Sequence, residues 1–150
     1  MPTIDLIIPA LDEESALPYV LRDIPRPLVR RVVVADNGSR DGTARVAEEG
    51  GAEVVHEPEK GYGAACLRAL SHLASDPPEI VVFLDGDYSD HPEELPLLVA
   101  PIVDGEADLV IGSRAIGRRE RGALSPQQRV GNAIASAALR PSAAAVTTRS

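Results

Sequence analysis

An α/β fold, with a mostly parallel sheet flanked by helices, is predicted by three features of the sequence. Short Val- and Ile-rich runs lack strict alternation, as strands buried on both faces do. Longer amphipathic stretches fill the gaps between them, and such strand–helix alternation implies right-handed crossovers. Each apolar run also ends in turn or polar residues. The first run is Ile4 to Ile8, with Pro9 expected to stop it. The second is Val32 to Ala35, ending at Asp36-Asn37-Gly38-Ser39, and a weaker third is Glu53 to His56. The fourth, Ile80 to Leu84, runs into Asp85-Gly86-Asp87, and the fifth, Leu109 to Ile111, into Gly112-Ser113-Arg114.

The helices follow from spacing and end signals. Glu13 to Leu21 comes after a capping residue, Asp12, with Pro18 as an obstacle inside it. Thr43 to Glu49 follows Asp41-Gly42 and stops at Gly50-Gly51. Gly63 to Leu73 carries Leu67, Leu70 and Ala74 at helical spacing, with Ala64 one turn earlier, and these form the expected packing stripe. Pro92 to Val99 opens with proline and two acids, which suits a helix N-terminus. Pro126 to Leu139 is a further predicted helix, preceded by a basic loop with Arg118, Arg119 and Arg121. From Arg140 the chain is mostly Pro, Ser, Ala and Thr, so residues 1–139 are expected to form the domain and 140–150 a disordered tail.

The 150 residues suit one domain with a substantial core. With 15 Lys and Arg against 23 Asp and Glu, the formal charge is −8, which demotes a nucleic-acid partner. Cys66 is the one cysteine, so there is no internal disulfide and no Cys cluster for zinc. No apolar run approaches a membrane span of ~20 residues and no basic leader starts the chain, so a cytoplasmic location is expected.

Ligands of open parallel sheets bind beyond the carboxyl ends of the strands. Asp85-Gly86-Asp87 is the sharpest signal there. Two carboxylates around a glycine, after a buried strand, make a hard-oxygen site for Mg²⁺ or Mn²⁺, and the alternative is an acidic surface turn. Asp36-Asn37 can feed a turn and helix cap, or read a base or ribose by hydrogen bonds. Pro9 to Glu14 can likewise cap a helix or face a ligand. Lys60-Gly61-Tyr62-Gly63 contains Gly-x-Gly but fails as a dinucleotide motif, because Cys66 stands at the third glycine and the third strand precedes it. A helix N-terminus with Lys60 nearby still favours a diphosphate. His56, His72 and His91 show no ligand spacing, and Cys66 is expected to be inert packing.

Taken together, five blocks in order resemble glycosyltransferase family 2, and in particular the branch related to dolichyl-phosphate mannose synthase. They are Ile7 to Glu14, Val33 to Thr43, Lys60 to Ala65, Phe83 to Asp87 and Ile111 to Arg114. The resemblance implies the GT-A fold, a Rossmann-like nucleotide-diphospho-sugar transferase architecture. It also implies an inverting hexosyltransferase using a nucleotide-diphosphate sugar and Mg²⁺ or Mn²⁺. By the same resemblance Pro9, Leu11 and Glu13 contact the nucleotide, and Ala35, Asp36 and Asn37 read the base. Lys60 and Gly86 belong to the donor site. Asp87 holds the metal, Asp85 touches the ribose or the ion's water shell, and Arg114 and Arg129 face the donor phosphates or the acceptor. Asn37 stands where aspartate is commonest and Leu11 where an aromatic often sits, so the base is not fixed.

A metal at Asp87 would stabilise the departing nucleoside diphosphate. A hydroxyl acceptor would need a general base, and Asp90 lies too close to the acidic motif to be a natural one. A polyprenyl phosphate, already anionic, would not need one. Such an acceptor would be met at a membrane surface, with help from Arg118, Arg119 and Arg121. A homodimer is left open. Family domains commonly extend past the point where this chain stops, so a truncated or frame-shifted member, with its donor half intact, is expected. The competing classes are a donor-binding remnant without turnover and a Mg²⁺-dependent phosphohydrolase. The second normally carries its Asp-x-Asp after the first strand, not the fourth.

Overall fold

The computed structural model describes residues 1–112. The chain divides into two units, Met1–Leu95 and Pro96–Ser150. Within the first, β1 (Ile4–Ala10), α1 (Leu17–Asp23), β2 (Arg31–Asp36), α2 (Thr43–Glu49), β3 (Glu53–His56), α3 (Tyr62–Leu73) and β4 (Ile80–Phe83) alternate as the sequence predicts, and a 3₁₀ turn at Pro92–Glu94 follows. The strands form one parallel sheet in the order β3-β2-β1-β4.

That order fixes where a ligand can sit. The chain steps outward from β1 to β2 to β3, then doubles back past β1 to β4. Right-handed crossovers therefore place α1 and α2 on one face and α3 on the other. The direction reverses between β1 and β4, and the carboxyl edge at such a switch point is where open α/β sheets bind their ligands.

Pro9 does not stop the first strand, which continues to Ala10. The Ala10 carbonyl accepts from Asn37 N–H on the β2 side, whereas the Ile7 carbonyl accepts from Leu84 N–H on the β4 side. Pro9, two residues beyond Ile7, turns its missing N–H toward the β4 side. The β4 ladder has ended at the Ile7–Phe83 pair, so no hydrogen bond is lost. Pro18 likewise does not break α1. It occupies the first turn, after an N-cap at Ala16, where an absent N–H costs nothing.

One core layer joins Ile7, Val33, Ala35 and Val55 of the sheet to Ala65, Ala69 and Leu73 of α3. The stripe expected at Leu67, Leu70 and Ala74 is therefore displaced. Leu67 is 66% and Leu70 37% exposed, and the helix meets the sheet through its alanines, which allow close approach. Residues of the opposite parity (Leu6, Ile8, Val32 and Val34) are buried on the other face, as are Leu17, Val20 and Leu21 of α1. Each fully buried aliphatic side chain contributes roughly 1.5–3 kcal/mol.

At the amino edge of the sheet, Asp5 is fully buried within central strand β1. Its carboxylate accepts from Arg30 at 2.8 and 2.9 Å and from Arg31 at 2.7 and 3.1 Å. Both arginines also reach the Asp76 carbonyl. The network ties the starts of β1 and β2 to the turn before β4.

In the second unit, α4 (Leu95–Val103) begins later than the helix expected from Pro92, because Pro92–Glu94 is taken up by the 3₁₀ turn. The fifth predicted strand is corrected: Leu109–Ile111 has no regular structure and no ladder partner among the described residues. Its β-favouring side chains supply propensity, but a strand persists only through a neighbour's hydrogen bonds. The Arg118–Arg121 cluster, the helix predicted at 126–139 and the tail lie outside the described residues. Among the described residues no helix is long and apolar enough to cross a membrane.

Candidate active site

The loops leaving β1 and β2 are stitched together by hydrogen bonds. Asp12 N–H donates to Ser39 Oγ at 3.0 Å, and Arg40 N–H donates to Asp12 Oδ1 at 2.7 Å. Glu13 N–H donates to Thr43 Oγ1 at 2.8 Å, and Glu14 N–H to Asp41 Oδ2 at 3.1 Å. Asp12 adopts the left-handed conformation (φ 54°), which aspartate tolerates better than most residues. Asp41 also accepts from the Thr43 hydroxyl, and this bond is the first cause of its lowered carboxyl pKa.

This scaffold brings Glu13 to the acidic motif after β4. Gly86 is buried against the end of β1: a Cβ there would lie 3.4 Å from Ile8 and 3.5 Å from Glu13 Cγ. These are ordinary van der Waals distances, so the motif packs on the end of β1 without needing glycine for space. The left-handed residue of the turn is Tyr88, not Gly86. Burial first, then the charges of Asp87, Asp41, Asp85 and Asp12, push the Glu13 carboxyl above its ordinary value. Half-buried Asp85 and exposed Asp87 complete the cluster, and Ser89 N–H fixes Asp87 Oδ1 at 2.9 Å. Asp90 accepts the Asp85 N–H at 3.4 Å and so takes part in shaping the turn.

A divalent cation fits this donor set. The oxygens are hard, and the acidic charges around buried Glu13 are what a cation would offset. Among the described residues no group of three or more His, Cys, Asp or Glu side chains is arranged to hold a metal. Asp85 and Asp87 would therefore leave most of the shell to substrate phosphates and water, as magnesium prefers.

Tyr62, more than half exposed, lies beside Asp85. Its hydroxyl interacts with Asp85 and Cys66, and burial, followed by the Asp85 charge, pushes its pKa up to about 12. Burial likewise raises the Cys66 thiol above its ordinary value. Tyr62 was not among the residues picked from the sequence. Its signal was there, inside the Lys60-Gly61-Tyr62-Gly63 block, but masked by the glycines.

A second group of predicted residues meets at the ends of β2 and β3, where Ala10, Asp36 and His56 are register partners. Asp36 is 5% exposed, accepts Ser39 N–H at 3.2 Å and pairs with His56 Nδ1 at 3.1 Å. Ala35 lies in the core under α3, so only its backbone can face a ligand. The side chain of Asn37 turns inward. It donates to the Glu57 and Glu59 carbonyls at 3.0 and 2.7 Å and accepts Gly61 N–H at 2.9 Å. Its hydrogen-bonding capacity is spent on holding the loop that carries exposed Lys60 and leads into α3. Gly61 meets this clamp at φ 135°, which suits glycine.

An aspartate at position 37 could not donate these two bonds. Asn37→Asp is expected to lower stability by about 2–4 kcal/mol, since a carboxylate would face two carbonyls. Urea unfolding monitored by circular dichroism checks it, and an unchanged midpoint would refute the clamp. Of the remaining predicted residues, Pro9 is buried near the end of β1 and Leu11, just beyond it, is exposed. Arg114 and Arg129 lie outside the described residues.

The arrangement matches known proteins. A model of glycosyl transferase family 2 matches residues 5–146. An uncharacterized glycosyltransferase of Mycobacterium bovis is 45% identical over 111 residues, covering 74% of this chain and 48% of its own length. The low-salt glycan biosynthesis hexosyltransferase of Haloferax volcanii is 34% identical over 139 residues, covering 89% of this chain and 33% of its own. Glucosyl-3-phosphoglycerate synthase of Mycobacterium tuberculosis, solved with Mn²⁺, UDP and glucosyl-3-phosphoglycerate, superposes with a TM-score of 0.71 at 34% identity. It covers 93% of this chain and 51% of that one. The chain thus spans about half the length of the mycobacterial proteins it matches. These matches do not single out the dolichyl-phosphate mannose branch. With its parallel sheet, acidic turn after β4 and family blocks in order, the chain belongs to glycosyl transferase family 2.

Proposed function

We propose that this chain binds a nucleotide-diphosphate sugar together with Mg²⁺ or Mn²⁺, and that the protein transfers the sugar to an acceptor with inversion. The observation that carries the proposal is the Asp85-Gly86-Asp87 turn after β4, packed through Gly86 on Glu13 and the end of β1, in a family 2 fold. The synthase solved with Mn²⁺ and UDP-glucose supports a uridine donor as the first choice.

In this reading Asp87 and Asp85 would hold the ion, which would supply charge neutralisation for the leaving diphosphate. Pro9, Leu11 and Glu13 line the nucleotide's path along the end of β1. Asp36, held by Ser39 and His56, presents a fixed acceptor at the base end. Asn37 acts at one remove, by fixing the loop that carries Lys60. Because these groups are already bonded into place, little reorganisation is needed when charge develops.

The acceptor is proposed to bear a phosphate. A polyprenyl phosphate, met by a cytoplasmic protein peripheral to the membrane, is the choice drawn from the sequence. The synthase solved with phosphoglyceric acid supports a small phosphorylated acid as the comparison substrate.

Thermal unfolding with Mn²⁺ and a panel of UDP- and GDP-sugars tests donor binding. A ligand at 100 times its dissociation constant stabilises by about 2.7 kcal/mol, which corresponds to a shift of several degrees. The shift is expected with Mn²⁺ and nucleotide together and should vanish with chelator. No shift with any nucleotide sugar would refute the proposal. Product formation on the two acceptor classes is then assayed separately.

A further inference from the structure

We propose that Tyr88 is a positioning residue for Asp87, acting as a brace between the acidic turn and the end of α1; this rests on the donor site proposed above. Tyr88 lies one residue after Asp87 and holds φ 60°, a conformation that a bulky side chain adopts only when its surroundings enforce it. Two contacts enforce it here. The ring packs on Tyr19 of α1, with centroids 5.8 Å apart and planes tilted by 45°. The hydroxyl donates to Asp23 Oδ2 at the last residue of the same helix.

The receiving end is itself fixed. Asp23 accepts from Arg22 at 2.7 and 3.1 Å, and the Arg22 guanidinium lies 5.2 Å from the Tyr19 ring centroid. The helix beneath is anchored by buried Leu17, Val20 and Leu21. Opposite the brace, Gly86 is packed on Ile8 and Glu13 at the end of β1. The acidic turn is thus gripped from both sides of Asp87, by β1 through Gly86 and by α1 through Tyr88. A turn that served only to reverse the chain would place glycine or asparagine at position 88 and need no brace. The strained tyrosine and its partners instead fix the direction of the Asp87 carboxylate, already steadied by Ser89 N–H.

Glycine at position 88 relieves the backbone while deleting the brace, so Tyr88→Gly separates positioning from stability. Isothermal titration of Mn²⁺ in the presence of UDP, alongside melting temperature, reads both. Tyr88→Gly is expected to weaken Mn²⁺ affinity by roughly tenfold or more while melting within a few degrees of the wild type. Tyr88→Phe, which keeps the ring contact and loses the hydroxyl, is expected to weaken it by about threefold. A change in melting temperature with Mn²⁺ affinity within twofold of wild type, in both variants, would overturn the brace and leave the functional proposal standing. Should Tyr88→Gly fail to fold, Tyr88→Phe and Asp23→Asn decide by the same measure. A wild-type chain that binds no Mn²⁺ with UDP overturns the functional proposal, and the brace with it.

Discussion

Asp87→Asn is expected to reduce the affinity for Mn²⁺ with UDP by roughly 100-fold or more, and to remove turnover wherever turnover is measured. Groups that merely orient metal ligands already cost 10–100-fold when mutated, and Asp87 is proposed to hold the ion directly. The substitution keeps the shape of the side chain and its acceptance of Ser89 N–H. It also removes a charge that repels Glu13, so the protein should fold as well as wild type, or slightly better. Titration calorimetry with and without chelator, together with melting temperature, separates the two effects. Undiminished Mn²⁺ binding by a folded Asp87→Asn chain would place the cation elsewhere.

Asp5→Asn is expected to be strongly destabilising. The carboxylate is fully buried and is shared by Arg30 and Arg31, whose side chains are only 29% and 20% exposed. Removing one partner of such a network strands the remaining charges. The loss should be about 3 kcal/mol, the lower end for buried pairs, because both arginines retain Asp76 and some water. A drop in melting temperature on the order of 10 °C follows.

The pH dependence gives a second check. Burial alone would raise the Asp5 carboxyl, but the bonds and charges of Arg30 and Arg31 outweigh it and hold the group below its ordinary 3.8. A depressed carboxyl stabilises fully above its unfolded value, near pH 4, and the contribution is lost as pH falls through the lower folded value. The stability gap between wild type and Asp5→Asn should therefore be constant from pH 7 to about 5 and close below pH 4. A gap that does not narrow at all below pH 4 would show that packing, not charge, makes the contribution.

Much of this architecture was legible because its signals are local. Val32 to Ala35 and Ile80 to Phe83 announce strands by composition, and Gly50-Gly51 ends α2 by conformation. The errors arise where a neighbour decides. Pro9 ends a strand only if its missing N–H faces a partner, and the early end of the β4 ladder is not written near Pro9. On α3 two apolar stripes compete, and the alanines win because small side chains let the helix sit close to the sheet. Leu109–Ile111 has the right composition but no partner strand among the described residues.

At the site, Asp85 and Asp87 were legible because paired carboxylates after a buried strand are locally unusual. Their supports were not. Tyr62, Tyr88 and the inward turn of Asn37 act across 20 to 65 residues of sequence, through contacts that only the fold creates.

The interlocked loops after β1 and β2 carry one more consequence. Four hydrogen bonds join residues 12–14 to residues 39–43, so the two segments form a single rigid jaw rather than two independent fingers. A guest arriving at such a jaw has little chain to freeze, and more of its contact energy is retained as affinity. The same coupling limits drift: lengthening either finger alone would pull its neighbour out of place, so the pair can diverge only in concert.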